Sequence, residues 1–514
     1  MIRIILALSS ALLLIISFPA FDLELFAWIA LVPLLIAIKN KNLKSAFGLS
    51  FLTGISFFMG IFYWINVIKG FTLIDFLFLG IYLGSYFGMF GLLLNFILKR
   101  SNFPSFVTAP VLWVSVEYLR SHAGFLALPW ALLGHSQYLN LPVIQISSIT
   151  GTYGVSFLIV MSNVALSEVI LYLLSEKARE HTKCHLKPIR PVVVTLLLFG
   201  LSLGYGYMCI LQQFKGKRIN ITVIQGNIAQ DIKWNPTLRD QILEKHIQLT
   251  KQASNSSNAS LIVWPETAVQ GTLTCDPYLL QTISDLAKAT QTSLLIGSSQ
   301  RPKFGSREFK KKHLFNSAFL IASNGIVKKC YDKINLLPFG EYLPYRGRLP
   351  WPSRFVSLAD NYTPGKEFTL FALEGVKFGT LICWENLFPD LFRKFVNNGA
   401  NFMINITNEA WFGETAAPYQ FLSMSVFRAV ENRVTVVRSA NTGISCFIDP
   451  SGRIIGKVNN NNKDIFVEGF LTREIPLSQE RTLYTRYGDI FAYINLMATI
   501  FMLASSFLKV RRDG

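Results

Sequence analysis

Apolar residues fall in long unbroken blocks near the start of this chain and in short bursts afterwards. Residues 45–68, 76–98 and 191–214 contain no Asp, Glu, Lys or Arg. Each exceeds the ~20 residues a helix needs to cross a hydrocarbon core. Residues 123–167 are also uncharged, but Gly134, His135, Ser136 and Gln137 interrupt the first part. A spanning helix is therefore expected near 144–172. The runs 4–18 and 25–38 are shorter, and Pro19 lies between them. They predict two short helices joined by a turn. Residues 104–120 form a weaker candidate because they include Pro110, Glu117 and Arg120, and 490–508 is apolar again. The pattern predicts eight helices, seven before residue 214 and one near the end.

Between these regions the period changes. "RINITVIQG" (218–226), "ASLIVWPE" (259–266), "SLLIGSS" (293–299), "FGTLICWE" (378–385), "ANFMINIT" (400–407) and "TVVRSA" (435–440) are short β-rich runs. Helix-like stretches at 237–254 and 276–290 separate several of them. Such alternation predicts an α/β domain of layered sheets. The segment 337–367 exceeds ordinary connections, and long loops of this kind usually have a function or lack order. "NNNNK" (459–463) reads as a turn. The expected domains are 1–213 (seven transmembrane helices), 214–487 (an extramembrane α/β domain) and 488–514 (a last helix and tail).

Charge then orients the chain. Only 16% of residues are charged, against about 25% in a typical soluble domain. The net charge of +18 raises the question of nucleic acid. Lys and Arg, however, gather in alternate connections: Arg3; Lys39, Lys41 and Lys44; Lys99 and Arg100; Lys177 through Arg190; and Lys509, Arg511 and Arg512. Positive loops stay cytoplasmic. Both termini are thus expected inside and 215–489 outside, which in a bacterium is the periplasm. Topology accounts for part of the basic excess, and no nucleic-acid partner is expected. The first apolar run is read as a retained helix, not a cleaved signal, because cleavage would break this alternation. The six Cys and six His show no CxxC or HExxH spacing, so neither a metal nor another cofactor is expected.

Two strand-like runs end in chemistry-bearing residues. "LIVWPE" ends at Glu266 and "TLIC" at Cys383, and "YDKINLLPFGEYLP" (331–344) places Lys333 and Glu341 between them in sequence. Taken singly, each has a plain reading: a capping carboxylate, a solvated lysine, an inert packed thiol. Together they meet what a cysteine nucleophile requires. A carboxylate takes the thiol proton, and an ammonium holds the oxyanion that develops on the substrate. A helix starting after Cys383 would add backbone N–H groups to the oxyanion site.

The order Glu–Lys–Cys in the settings "WPE", "YDK…PFGEYLP" and "CWE" resembles the carbon–nitrogen hydrolase (nitrilase) superfamily. "NITNEAWFG" (405–413) and "RSANTGISCFIDPSG" (438–452) extend the match. With its membrane helices, and with "SFPAFDLELFAWIALVPLL" (17–35), "LPWALLGHSQ" (128–137) and "VIQGNIAQDIKW" (223–234), the whole chain resembles the apolipoprotein N-acyltransferase family. The resemblance implies an αββα sandwich beside about eight membrane helices in the bacterial inner membrane. It implies Glu266 as general base, Lys333 as oxyanion stabiliser and Cys383 as nucleophile, with Glu341, Glu385, Trp384 and Asn408 in support. Trp234, Trp411 and Tyr342 fall at positions of substrate contact or mobile loops, with core packing the alternative for both tryptophans. The acyl donor would be a phospholipid, typically phosphatidylethanolamine, and the acceptor a diacylated apolipoprotein. A thioester on Cys383 would link the two half-reactions, and the enzyme would act as a monomer. Two positions depart from the family's usual "CYE" and "NDAWFG": Trp384 stands for Tyr, and Glu409 for Asp. In the membrane part, Glu117, His135 and Gln137 either mark a lipid cavity or lie in loops.

Two other classes remain open from sequence. A membrane-tethered amidase would use the same three residues with water as acceptor. A channel or transporter with a large outer domain would need none of the three.

Overall fold

The computed structural model describes all residues except 175–188, 213, 215, 302–312, 359–360, 479 and 514. The cations Lys177, Arg179, Lys183 and Lys187 of the topology reading lie outside the described residues. The chain divides into two compact units. One comprises 1–66, 71–212 and 487–514, and the other 67–70 and 213–486.

The first unit is helical. All eight expected apolar segments contain helix: Ile2–Ile16, Val32–Ile38 (with a 3-10 turn Glu24–Trp28 before it), Leu43–Ile61, Leu73–Arg100, Ser105–Ser121, Thr152–Leu173, Ile189–Leu211 and Ile490–Asp513. Five are long and apolar enough to cross a membrane: 43–61, 73–100, 152–173, 189–211 and 490–509. Caps set their starts. Asn42 accepts the Ser45 N–H at 2.8 Å, and Thr72 forms a reciprocal capping box with Asp75. These side chains satisfy backbone donors that no helical carbonyl can reach. Helices 43–61 and 73–100 lie very close. A Cβ on Gly84 would come within 2.9 Å of the Ile55 backbone nitrogen, and one on Gly54 within 2.6 Å of Phe87 Cβ. Small residues permit that approach, the usual device where helices pack in lipid.

Two boundaries differ from expectation. The helix expected at 144–172 starts only at Thr152. Two four-residue turns, Leu141–Ile144 and Ser147–Thr150, precede it, and Gly151 at φ +65° breaks the path. A left-handed glycine ends one helical run and starts another in a new direction. The helix predicted from 45–68 stops at Ile61.

Glu117, His135 and Gln137 are consumed by the unit's own polypeptide. Glu117 Oε1 accepts the Leu133 N–H at 2.7 Å. Arg120, one turn on, donates to the carbonyls of Leu128, Trp130 and Ala131 at 3.2, 2.6 and 3.3 Å. His135 Nδ1 accepts the Leu132 N–H, and Gln137 joins the Trp28 indole N–H to the Glu24 carbonyl. The stretch 128–137, which closes in the 3-10 turn Leu133–Gln137, is thus stapled to helix 105–121. Glu117 lies within helix 105–121 and, with Arg120, lines an apolar cavity beside Phe58, Phe87 and Trp113, while His135 and Gln137 lie in the 3-10 turn.

The second unit is a sandwich of two sheets. Its strands are β1 (Arg218–Gln225), β2 (Leu261–Val263), β3 (Val269–Thr272), β4 (Ser293–Gln300), β5 (Phe315–Ile321), β6 (Val327–Asp332), β7 (Leu370–Leu373), β8 (Val376–Ile382), β9 (Phe402–Thr407), β10 (Thr435–Ala440), β11 (Cys446–Ile448), β12 (Ile454–Lys457) and β13 (Gly469–Pro476). One sheet runs β13-β1-β2-β4-β5-β6 with β3 beside β4, and the other β12-β11-β10-β9-β8-β7. The centres are parallel, β1-β2-β4 in one sheet and β8-β9-β10 in the other. These strands are buried on both faces, as their near-continuous apolar sequences require. Amphipathic helices cover the outer faces. Helix Arg239–Ser256 buries Leu243, Ile247, Leu249 and Ala253, and helix Pro277–Thr290 buries Leu279, Ile283 and Leu286, all against the first sheet. Helices Pro389–Asn397 and Ala417–Asn432 pack on the second. Ser439 of β10 reaches the carbonyls of Ile224 and Val263 at 3.0 and 3.1 Å, tying the inner faces together.

Candidate active site

Catalytic groups in open parallel sheets gather at the carboxyl ends of strands. Here the ends of both sheets converge. Glu266 lies three residues past β2 and Lys333 immediately past β6. Cys383, Asn408 and Asn441 immediately follow β8, β9 and β10.

Glu266 is 7% exposed. Its Oε1 accepts Asn316 Nδ2 at 2.8 Å and its Oε2 the Asn408 N–H at 2.9 Å. Gly297 of β4 lies directly against its backbone: a Cβ there would sit 2.7 Å from Glu266 Cα and collide with the Pro265 carbonyl. The strand and the turn approach so closely that only glycine fits.

Lys333 is buried and its ammonium lies between two carboxylates, 2.8 Å from Glu341 and 3.7 Å from Glu266. Burial works against its charge, but Glu341 and then Glu266 more than offset this and hold its pKa above the ordinary lysine value. Lys333 therefore stays an ammonium. Asn316 Nδ2 also reaches Glu341 Oε1 at 2.9 Å, so one amide joins both carboxylates.

Cys383 leaves β8 in a left-handed conformation, φ +56°. Strained non-glycine backbone of this kind costs about 1–3 kcal/mol and collects at functional sites. The helix expected directly after it is instead a five-residue 3-10 turn, Cys383–Leu387, and the α-helix begins only at Pro389. The left-handed start and the proline impose that delay. Burial pushes the Cys383 thiol up, Glu266 adds to the rise, and Lys333 pulls it down. The resting sulfur is a thiol, which needs a base before it attacks.

Glu385 ties the pieces together. Oε2 accepts the Ile382 N–H at 2.8 Å, and Oε1 accepts Ile334 N–H, Asn335 N–H and the Tyr331 hydroxyl at 2.8, 3.0 and 2.9 Å. The clamp joins the strand end before Cys383 to the segment bearing Lys333. Burial pushes its carboxyl up to about 7 against those bonds and against Lys333. Trp384 donates its indole N–H to the Asn335 carbonyl at 2.7 Å and packs edge-on to Phe388. Glu409 pairs with Arg438 at 2.5 Å, both fully buried.

The other candidates separate. Asn408 bonds Glu266 directly and is held by Gln230 and Asn441. Trp234 and Trp411 are 47% and 43% exposed, which excludes core packing. Tyr342 is partly buried, and its carbonyl accepts the Phe339 N–H. No hydrogen bond links its hydroxyl to Glu266, Lys333 or Cys383 among the described residues. Asn316 and Lys233 escaped the sequence reading. Asn316 interrupts an apolar strand, a polar residue that strand burial alone does not explain. Lys233 gave no signal, since most lysines are solvated. Here it is 2% exposed and donates to the Glu266 carbonyl at 3.0 Å.

Comparison with known proteins follows the same division. Residues 10–165 match the apolipoprotein N-acyltransferase N-terminal domain, and residues 220–483 match the carbon–nitrogen hydrolase domain. An apolipoprotein N-acyltransferase from Geobacter metallireducens is 36% identical, covering 98% of this chain and 95% of its own. One from Chlorobaculum tepidum is 28% identical over 96% and 94%. Among solved structures, a nitrilase-superfamily protein from Saccharomyces cerevisiae is similar with TM-score 0.39 and 18% identity, covering 51% of this chain and 92% of its own. A Nesterenkonia amidase gives 0.38 and 18%, over 55% and 95%. The chain belongs to the apolipoprotein N-acyltransferase family and contains a carbon–nitrogen hydrolase domain.

Proposed function

We propose that the chain transfers a fatty acyl group from a phospholipid to the α-amine of the N-terminal diacylglyceryl-cysteine of apolipoproteins, through a thioester on Cys383. The observation that supports this most is the convergence of Glu266, Lys333 and Cys383 at the strand ends of a chain whose described residues include five helices long and apolar enough to cross a membrane.

Glu266 takes the thiol proton as sulfur attacks the ester carbonyl. Lys333, held as an ammonium, faces the negative charge that develops on the carbonyl oxygen. The ester C–O bond breaks, and the lysophospholipid alkoxide leaves with the proton from Glu266. A neutral amine then attacks the thioester, Glu266 receives the amine proton, and the C–S bond breaks. The thiolate is reprotonated and the N-acyl product leaves. Glu341 and Asn316 keep Lys333 and Glu266 in place, and Glu385 and Trp384 hold the Lys333 segment against Cys383. Trp234, Trp411 and Tyr342 are assigned to the substrate path. Phosphatidylethanolamine is the expected donor, and the enzyme works as a monomer.

The proposed setting is the bacterial inner membrane, with 1–213 and 488–514 anchoring 214–487 in the periplasm and both termini in the cytoplasm. Tethering near the bilayer surface raises the effective concentration of two lipid substrates.

The test is intact-mass measurement after incubation with phospholipid. An added acyl mass, lost in Cys383→Ala, is expected, as is transfer to a diacylated lipopeptide. Ammonia release from small amides without lipid turnover would instead favour the amidase class.

A further inference from the structure

Two carboxylates, Glu266 and Glu341, share the single ammonium of Lys333 in a nearly closed site. A buried net negative charge is costly unless another cation lies near. Lys233 is the second lysine buried there. Its Nζ donates to the main-chain carbonyl of Glu266 itself, at 3.0 Å, and its side chain is 2% exposed. The helical turn Gln230–Lys233 delivers it, and its own carbonyl accepts from Gln270. Glu266 opens into Thr267 at φ +45°, so Lys233 grips the carbonyl of a strained turn.

We propose that Lys233 is a positioning residue for the acyl-forming step: its ammonium fixes the backbone of Glu266 and supplies a second positive charge beside Cys383. The proposal rests on Glu266 acting as the base. The ionisable groups facing Lys233 are Glu266 after β2, Cys383 after β8 and His246 of helix 239–256. His246 is kept neutral, because burial lowers it to about 4, so it does not compete as a cation. Burial lowers Lys233 to about 8, against the opposing pull of Glu266 and Cys383. The second charge is therefore present at neutral pH and is lost as the pH rises through that value.

The experiment compares the full-length protein with Lys233→Gln and Lys233→Arg, using two readouts. Iodoacetamide alkylation of Cys383, followed by peptide mass spectrometry from pH 6 to 10, needs no lipid. The burst of acyl-enzyme formed from phospholipid is followed over the same range. At pH 7.5, K233Q should alkylate about fivefold more slowly or worse, the scale of one lost charge at intermediate dielectric. The wild-type burst should fall above about pH 8. K233Q should lack that limb, and K233R should carry it to higher pH. Curves for K233Q that superimpose on wild type overturn the proposal. If K233Q does not fold, alkylation and burst curves for K233R that coincide with wild type from pH 7 to 9.5 overturn it as well. Absence of any acyl adduct on wild type defeats the acyl-transfer reading, while the alkylation arm still decides the role of Lys233.

Discussion

The Lys333 ammonium lies 2.8 Å from Glu341 and 3.7 Å from Glu266, so its closest partner is not the carboxylate proposed as base. In the proposed mechanism Glu341 is the group that orients the lysine, and Glu266 is the group that takes the thiol proton. Glu341 Oε2 also accepts the Leu337 N–H at 2.7 Å, so the loop and the charge are coupled.

Glu341→Ala should slow acyl-enzyme formation by about 100-fold or more, because removing one partner of a buried pair costs about 3–5 kcal/mol. Glu341→Gln keeps an oxygen for Leu337 and should retain more of the thermal stability than of the rate. Single-turnover mass spectrometry paired with thermal melts separates the two effects. Equal losses of rate and stability in both variants would contradict the division of labour between Glu341 and Glu266.

Trp384 stands where the resemblance drawn from "CWE" expects tyrosine. Its indole N–H donates to the Asn335 carbonyl at 2.7 Å, two residues beyond Lys333. Trp384→Phe removes the donor and should lower the acylation rate about fivefold, in line with about 1 kcal/mol for a buried hydrogen bond. Trp384→Tyr, which restores a hydroxyl donor, should recover most of that loss. If phenylalanine works as well as tryptophan, the donor is unimportant and only the ring matters.

Glu409 lies directly against Gly443. A Cβ on Gly443 would collide with Glu409 Oε2, and Glu409 pairs with fully buried Arg438. Gly443→Ala should destabilise the domain by about 3 kcal/mol or more, by displacing one partner of a buried ion pair. Adding Glu409→Asp shortens the side chain by one methylene and should recover part of the loss. A double variant no more stable than Gly443→Ala alone rules out this coupling.

His246 is 1% exposed. It bonds the Ile242 carbonyl through Nδ1 and lies 5.1 Å from the Trp264 ring. Its pKa is lowered by burial to about 4, below the unfolded value of about 6.5. The unfolded chain therefore binds more protons between those values, and stability falls as the pH drops through that window. The full loss from this group is about 3 kcal/mol. Melting of the detergent-solubilised protein at pH 7.5 and 5 should show the decline, and His246→Leu should flatten it. An unchanged slope in the variant would assign the acid sensitivity to other groups.

Much of this protein is legible in one dimension. Helix-forming apolar segments follow from uninterrupted runs without charge, since backbone polar groups in lipid must bond within their own segment. Strand β10 falls at 435–440 as its β-branched sequence predicts, and β8 and β9 lie within two residues of expectation at their starts. Glu266 and Cys383 stand out because each ends a strand-like run, and Lys333 and Glu341 because they fall between those runs in a Gly/Pro-interrupted stretch. Other features depend on distant approach. The start of helix 152–173 is set by the left-handed Gly151, and the delayed helix after Cys383 by its own positive φ. Neither conformation is dictated by local propensity. Asn316, Lys233 and the four-donor role of Glu385 exist only because the ends of β2, β6 and β8 and the start of β5 meet in one place. A lysine in sequence is solvated by default. Only the packed structure removes its water and leaves a main-chain carbonyl, 33 residues away, as its partner. Hydrophobic spacing along the chain thus determines which segments form. Burial decides what their polar groups become, because once water is excluded each buried charge must find its partner from elsewhere in the fold.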